Sequence, residues 1–206
     1  MSIRINLEPI YRLFGTWLTK LIFRPAYAGF EKIPRSGPVV LISNHVSYID
    51  GVIIAAGIGR PVRFVIDGNI YRLPGVHYFM KINRAIPILP KRDSVTQALN
   101  EVSEGLRAGD AVCIFPEGRL TQTGSLGRFR PGIEHIIKRD PVPVYPIALS
   151  GLWGSVFSRK YRKSAFRWWP RQWSDRIKAT CGDPIPPERV TVNALQQEIL
   201  KLKYSL

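Results

Sequence analysis

The sequence predicts an α/β domain built on a mixed, largely parallel sheet flanked by helices and preceded by an amphipathic, membrane-associating helix. Three observations predict it. Short apolar runs of strand length alternate with helical patterns along the chain. Two of those runs, VVLIS at Val39–Ser43 and AVCIF at Ala111–Phe115, end in loops rich in polar and charged residues. The N-terminal stretch carries its apolar residues at helical rather than strand spacing. With 206 residues, 45% of them hydrophobic, the chain can enclose one sizeable core.

Residues 3–23, IRINLEPIYRLFGTWLTKLIF, place Leu7, Ile10, Phe14, Leu18 and Leu21 on one helical stripe, with Glu8, Arg12, Thr16, Thr19 and Lys20 interleaved. No uncharged stretch in this segment reaches the roughly 20 residues that a membrane span needs. Ala26 and Ala28 fit a signal-peptidase site, but Glu8, Arg12 and Lys20 interrupt the apolar region that a signal peptide requires. The segment is expected either to lie in a membrane interface, anchored by Trp17 and Phe23, or to pack on its own domain. Residues 1–28 are accordingly set apart as an interfacial helix, and residues 29–206 as the main domain.

Strands are expected at Val39–Ser43, Val62–Ile66, Ala85–Leu89, Ala111–Phe115, Val142–Leu149 and Ile177–Cys181. Helices are expected between them at Ile49–Ala56, Val95–Arg107, Ile133–Lys138 and Val192–Tyr204. Gly109 closes the helix before AVCIF, and Pro131 with Gly132 opens the short one after the second charged loop. In such folds, ligands collect where strands end and helices begin. Both charged loops sit at that kind of position.

Thirty Lys and Arg against fifteen Asp and Glu give a formal charge of +15, so an acidic partner is expected. Nucleic acid, an anionic membrane, a phosphate-bearing substrate and an acidic carrier protein all satisfy that requirement. Two cysteines supply no disulfide or metal framework, and Cys113 within AVCIF reads as a small core residue. His45, His77 and His135 stand in unrelated contexts, so no metal is expected. From Val156 to Lys178 the chain interleaves aromatic and basic residues, among them Trp168, Trp169 and Trp173. That composition suits contact with a phospholipid interface, while stacking on nucleic acid bases or a solvated basic loop are its alternatives.

Chemistry is expected first at Asn44, His45 and Asp50. On one continuous helix His45 and Asp50 would lie about 140° apart. With His45 in the loop and Asp50 in the first helical turn, the carboxylate can reach back to the ring. A neutral histidine held in that way is a general base. Ser47 followed by Asp50 also fits a helix-capping pattern, which would leave His45 an ordinary turn residue. The second loop, Phe115–Arg119, adds a carboxylate and a guanidinium at another strand end.

Asn44, His45 and Asp50 match NHxxxxD, FPEGR at Phe115–Arg119 matches an FPEG block, and VYPI at Val144–Ile147 matches a later block around a proline. Phe129, Arg130 and Gly132 match a minor pattern after FPEG. In these blocks, over roughly residues 30–185, the chain resembles the glycerolipid acyltransferase family that includes bacterial 1-acylglycerol-3-phosphate acyltransferases. Here Arg119 follows Gly118 directly, where many members have an intervening threonine.

The resemblance implies transfer of an acyl group from acyl-CoA or acyl-ACP to the free hydroxyl of a lysophospholipid, with no bound cofactor. His45 and Asp50 would be catalytic, with Asn44, Ser47 and Pro116 supporting the loops. Glu117, Gly118, Arg119 and Arg92 would bind the acceptor, Arg119 as a fork for phosphate and Glu117 toward a glycerol hydroxyl or as a partner of that arginine. Lys91 and Arg84 compete with Arg92. No cysteine or serine is placed as a nucleophile, which favours direct transfer in a ternary complex. Trp17, Trp168, Trp169 and Trp173 would contact an anionic membrane, at the cytoplasmic face of a bacterial inner membrane. A lysophosphatidylethanolamine acceptor and a non-enzymatic basic binding module are the alternatives, and the chain carries no nucleic-acid-binding signature.

Overall fold

The computed structural model describes residues 8–155, 157–161 and 176–205. Seven strands form one sheet: β1 (Ala26–Ala28), β2 (Val39–Ser43), β3 (Val62–Asp67), β4 (Ile86–Ile88), β5 (Ala111–Ile114), β6 (Val144–Ser150) and β7 (Lys178–Cys181). Their spatial order is β1-β7-β6-β2-β5-β3-β4. Every neighbouring pair runs parallel except β6 and β7. The helices are α1 (Glu8–Phe23), α2 (Asp50–Gly57), α3 (Gly68–Tyr71), α4 (Val76–Ile82), α5 (Arg92–Arg107), α6 (Gly132–Arg139) and α7 (Val192–Tyr204).

The apolar runs read as strands because they are covered on both faces, as parallel strands between helices must be. Side chains alternate across β2, so Val39 and Leu41 enter one core with Ile53 and Ile54 of α2. Val40 and Ile42 enter the other, with Leu106 of α5, Ile133 of α6 and Leu195 and Ile199 of α7. After β2 the chain crosses through α2 to β3, beyond β5; after β5 it returns through α6 to β6, on the far side of β2. The two connections leave on opposite faces, and in open α/β sheets ligands gather at the carboxyl ends of the strands.

Three features were absent from the sequence-based expectation: β1, α3 and α4. Strand β1 pairs with β7, so the sheet begins before residue 29. Helix α1 packs against α2, with Phe23 on the core and Thr19 buried, yet exposes Leu13, Phe14, Trp17, Leu18, Leu21 and Ile22. One side of this helix serves the domain, and an apolar side remains uncovered. Trp168, Trp169 and Trp173 lie outside the described residues.

Candidate active site

Strand β2 leads directly into Asn44 and His45, and Asn44 fixes where they sit. Its side-chain amide donates to the Leu149 carbonyl at 3.0 Å and its Oδ1 accepts the Leu149 N–H at 2.8 Å, so the residue is clasped to β6. Asn44 is wholly buried. Asn44→Ala leaves both Leu149 backbone groups without partners, at about 1–3 kcal/mol for each unpaired group. Thermal unfolding is expected to show that loss before any effect on chemistry is considered.

His45 Nδ1 lies 2.9 Å from Asp50 Oδ2, and the same oxygen accepts the N–H of Val46 at 2.7 Å and of Ser47 at 2.9 Å. An oxygen accepting two backbone N–H groups takes the third contact as an acceptor too, so Nδ1 is the donor to it and Nε2 is the nitrogen left for other partners. The two roles foreseen for Asp50 are therefore performed together. Reaching back over the start of α2, the carboxylate closes the first turn, and that closure brings it to the ring. Ser47 Oγ accepts the Ile49 N–H at 3.1 Å, completing the turn. Asp50 is fully buried, and its other oxygen, Oδ1, has no hydrogen-bond partner. The imidazole remains 22% exposed.

The second loop meets the first through the main chain of His45. Its N–H donates to Glu117 Oε1 at 2.7 Å, and its carbonyl accepts the Thr121 N–H at 2.9 Å. Phe115 stacks on the imidazole, with centroids 4.1 Å apart and planes 16° from parallel, setting the ring's orientation. Pro116 accepts the Arg130 N–H at 2.9 Å through its carbonyl. The two strand ends thus form one hydrogen-bonded body.

Glu117 ties the two loops together through its side chain. Its Oε2 accepts the Gly127 N–H at 2.7 Å, so each carboxylate oxygen is engaged by a backbone donor, and it makes no ion pair with Arg119 among the described residues. It is a buried strut between His45 and Gly127 that also lines the cavity beside Arg119. Burial pushes its carboxyl above the usual glutamate value, and the two amide donors pull against that shift.

Arg119 is exposed beside Glu117 on the rim of a cavity of about 630 Å³. Arg92 opens α5 beyond β4, two strands from β5 at the same edge of the sheet, and no contact ties it to the dyad. Lys91, the residue before that helix, lies with it. Arg84 lies away from the two loops. It pairs at 3.5 Å with Asp110, immediately before β5, which puts it at the opposite end of that strand from Glu117. Sequence reasoning missed the stacking of Phe115 and the parts of Gly127 and α7. The aromatic at the start of FPEGR was its only available signal for the first. No group of three or more potential metal-ligating side chains occurs among the described residues.

A family model for acyltransferases matches residues 24–150, a span that contains both loops. The chain belongs to the acyltransferase family. This acyltransferase is 32% identical over 126 residues, 60% of its own length, to a chloroplastic 1-acyl-sn-glycerol-3-phosphate acyltransferase of Brassica napus. It is 29% identical over 140 residues, 66% of its length, to the 1-acyl-sn-glycerol-3-phosphate acyltransferase of Pseudomonas aeruginosa. A lyso-ornithine lipid O-acyltransferase of Brucella abortus is 28% identical over 149 residues, 68% of the chain. The chain spans 36%, 53% and 52% of these three relatives. Its fold is shared with the 1-acyl-sn-glycerophosphate acyltransferase PlsC of Thermotoga maritima, with a TM-score of 0.69, 19% identity and coverage of 98% of this chain and 80% of that one. The acyltransferase match ends with the last residue of β6, so β7 and α7 lie outside it.

Proposed function

We propose that this acyltransferase moves a fatty acyl group from an acyl thioester, acyl-CoA or acyl-ACP, to the free hydroxyl of a lysophospholipid, 1-acylglycerol-3-phosphate above others, giving phosphatidic acid. The observation that carries the reading is the His45–Asp50 pair, 2.9 Å from ring nitrogen to carboxylate oxygen, with the imidazole 22% exposed. His45 Nε2 accepts the hydroxyl proton as the acceptor oxygen attacks the thioester carbonyl carbon. The C–S bond then breaks and the same proton passes to the thiolate. Asp50 holds the imidazolium through Nδ1–H while it exists. Arg119, exposed and next in sequence to the loop glycine, serves as the fork for the acceptor's phosphate.

A panel of lysophospholipids offered with one long-chain acyl-CoA tests the reading, with thiol release followed and products identified by mass spectrometry. Lysophosphatidate is expected to be consumed fastest. A preference for lysophosphatidylethanolamine or a lyso-ornithine lipid would reassign the acceptor, and thiol release with none of them would end the proposal.

The enzyme is further proposed to sit on, not in, a bilayer, at the cytoplasmic face of a bacterial inner membrane. No helix among the described residues is long and apolar enough to cross a membrane. Support comes from the uncovered apolar side of α1 and from the +15 charge. The same role is assigned on sequence alone to Trp168, Trp169 and Trp173. Trp17, 57% exposed, is the anchor to test. Trp17→Ser is expected to weaken sedimentation with phosphatidylglycerol vesicles about tenfold while leaving thermal unfolding unchanged. Equal sedimentation of the two proteins would remove α1 from the interface.

A further inference from the structure

Phe115 follows β5 directly and lies over the face of the imidazole, with ring centroids 4.1 Å apart and planes 16° from parallel. A third ring joins them. Phe64 of β3 is paired in register with Cys113, and side chains two residues apart along a strand return to the same face, so Phe64 and Phe115 stand on one side of the sheet. Their centroids are 6.5 Å apart and their planes 17° from parallel. Both phenylalanines pack against the core that receives Ile53 and Ile54 of α2.

Helix α2 braces this arrangement with the turn that carries Asp50. Gly51 is the next residue, and a Cβ there would lie 3.3 Å from Phe64 Cε1, so the bare backbone of that turn rests against the Phe64 ring. His45 thus meets the Asp50 carboxylate at its Nδ1 edge and the face of Phe115 on one side of its plane, while its main-chain N–H goes to the Glu117 carboxylate. As packing alone, the Phe115 position would be served by any apolar side chain of similar volume. Only an aromatic ring adds a face of negative electrostatic potential.

We propose that Phe115 is a positioning residue for acyl transfer, its ring face stabilising the positive charge that His45 takes up on accepting the hydroxyl proton of the acceptor. This role rests on the reaction proposed above, with His45 as its base. Stacking of the neutral imidazole on Phe115 is present before and after substrate binds, so by itself it changes no barrier. The charge behaves differently. It exists only from removal of the hydroxyl proton until that proton passes to the thiolate, and a cation within about 6 Å of a ring centroid is drawn to the face. The attraction therefore arises in the transition state and not on substrate binding, and it acts on kcat rather than on KM.

Thiol release from a long-chain acyl-CoA, with the lysophospholipid that the full chain consumes fastest, tests it, and a thermal melt accompanies each rate. Phe115→Leu is expected to lower kcat about 3- to 30-fold and to leave KM for either substrate within about twofold. Phe115→Tyr keeps the ring face and is expected to hold kcat within about twofold of wild type. A ring-trifluorinated phenylalanine in place of Phe115 keeps the shape while emptying the face of its negative potential, so it separates electrostatics from packing even where the leucine protein melts early. Its kcat is expected to fall by about threefold or more with the melt unchanged. Equal kcat in wild type and the trifluorinated protein, or a tyrosine protein as slow as the leucine one, overturns the role of Phe115 and leaves the transfer reaction standing. A wild type that acylates no lysophospholipid, or a His45→Ala protein with near-normal turnover, overturns both.

Discussion

Alanine at position 45 is expected to lower acyl-transfer turnover by about 10²–10⁴-fold, the usual contribution of a general base, while leaving the protein folded. The structure separates these outcomes because two different parts of His45 do the work. Its backbone N–H and carbonyl join the loops through Glu117 and Thr121, and alanine supplies both groups unchanged. Its side chain contributes the proton acceptor and a stacking contact with Phe115. Asp50 Oδ2 would lose one of three N–H contacts and keep those of Val46 and Ser47. Asp50→Asn is expected to cost less turnover, since the ring and its Nε2 remain but the negative charge that holds the imidazolium is gone. Thiol release measured beside a thermal melt reads both quantities. Near-normal turnover in the alanine protein would end the assignment of His45 as base.

Glu117→Gln is expected to act in the opposite order, on stability first and on turnover through it. The glutamate accepts two backbone N–H groups from residues far apart in sequence, His45 and Gly127. A glutamine offers one carbonyl oxygen, and its amide nitrogen would face the other N–H. One buried donor is then unpaired, at about 1–3 kcal/mol. The pH dependence adds a signature. The native carboxyl titrates above its unfolded value of 4.5, because burial outweighs the amide donors. Between those two values the native state binds more protons than the unfolded state, so stability falls as pH rises through that window. Glutamine lacks this titration. The stability gap between wild type and Glu117→Gln should therefore be widest near pH 4 and narrow towards pH 8, as urea unfolding at several pH values would show. A gap that widens with pH would mean that the carboxylate is favoured by its setting and that burial does not dominate there.

The parts of this fold legible in the sequence are those whose signal is local. Strands β2 and β5 are runs of apolar residues long enough to be seen, and α5 and α7 carry a clear helical period. Strand β1 has three residues, too few for a period to show. Helix α4 buries none of its residues, and with Tyr78 72% exposed there is no apolar stripe to detect. The His45–Asp50 pairing was legible because five residues separate the partners and the turn between them determines the contact. The strut at Glu117 was not, because its partners lie 72 and 10 residues away and are backbone atoms, which leave no side-chain pattern. FPEGR marked the position of the glutamate without revealing what it holds. In the same way, the lining of the cavity depends on α7 returning more than sixty residues after Phe129 to meet the loop.

The clasp of Asn44 on Leu149 sets an order of events during synthesis. Once Asp50 has been made, the histidine and aspartate can meet within their own turn. That turn still lacks Glu117, Gly127 and the β6 backbone, and Leu149, the last of these partners, is made 99 residues after Asp50. The nascent chain therefore carries an acid–base pair long before it owns a rigid place to use it, and the enzyme becomes competent late, as its last third folds back over its first.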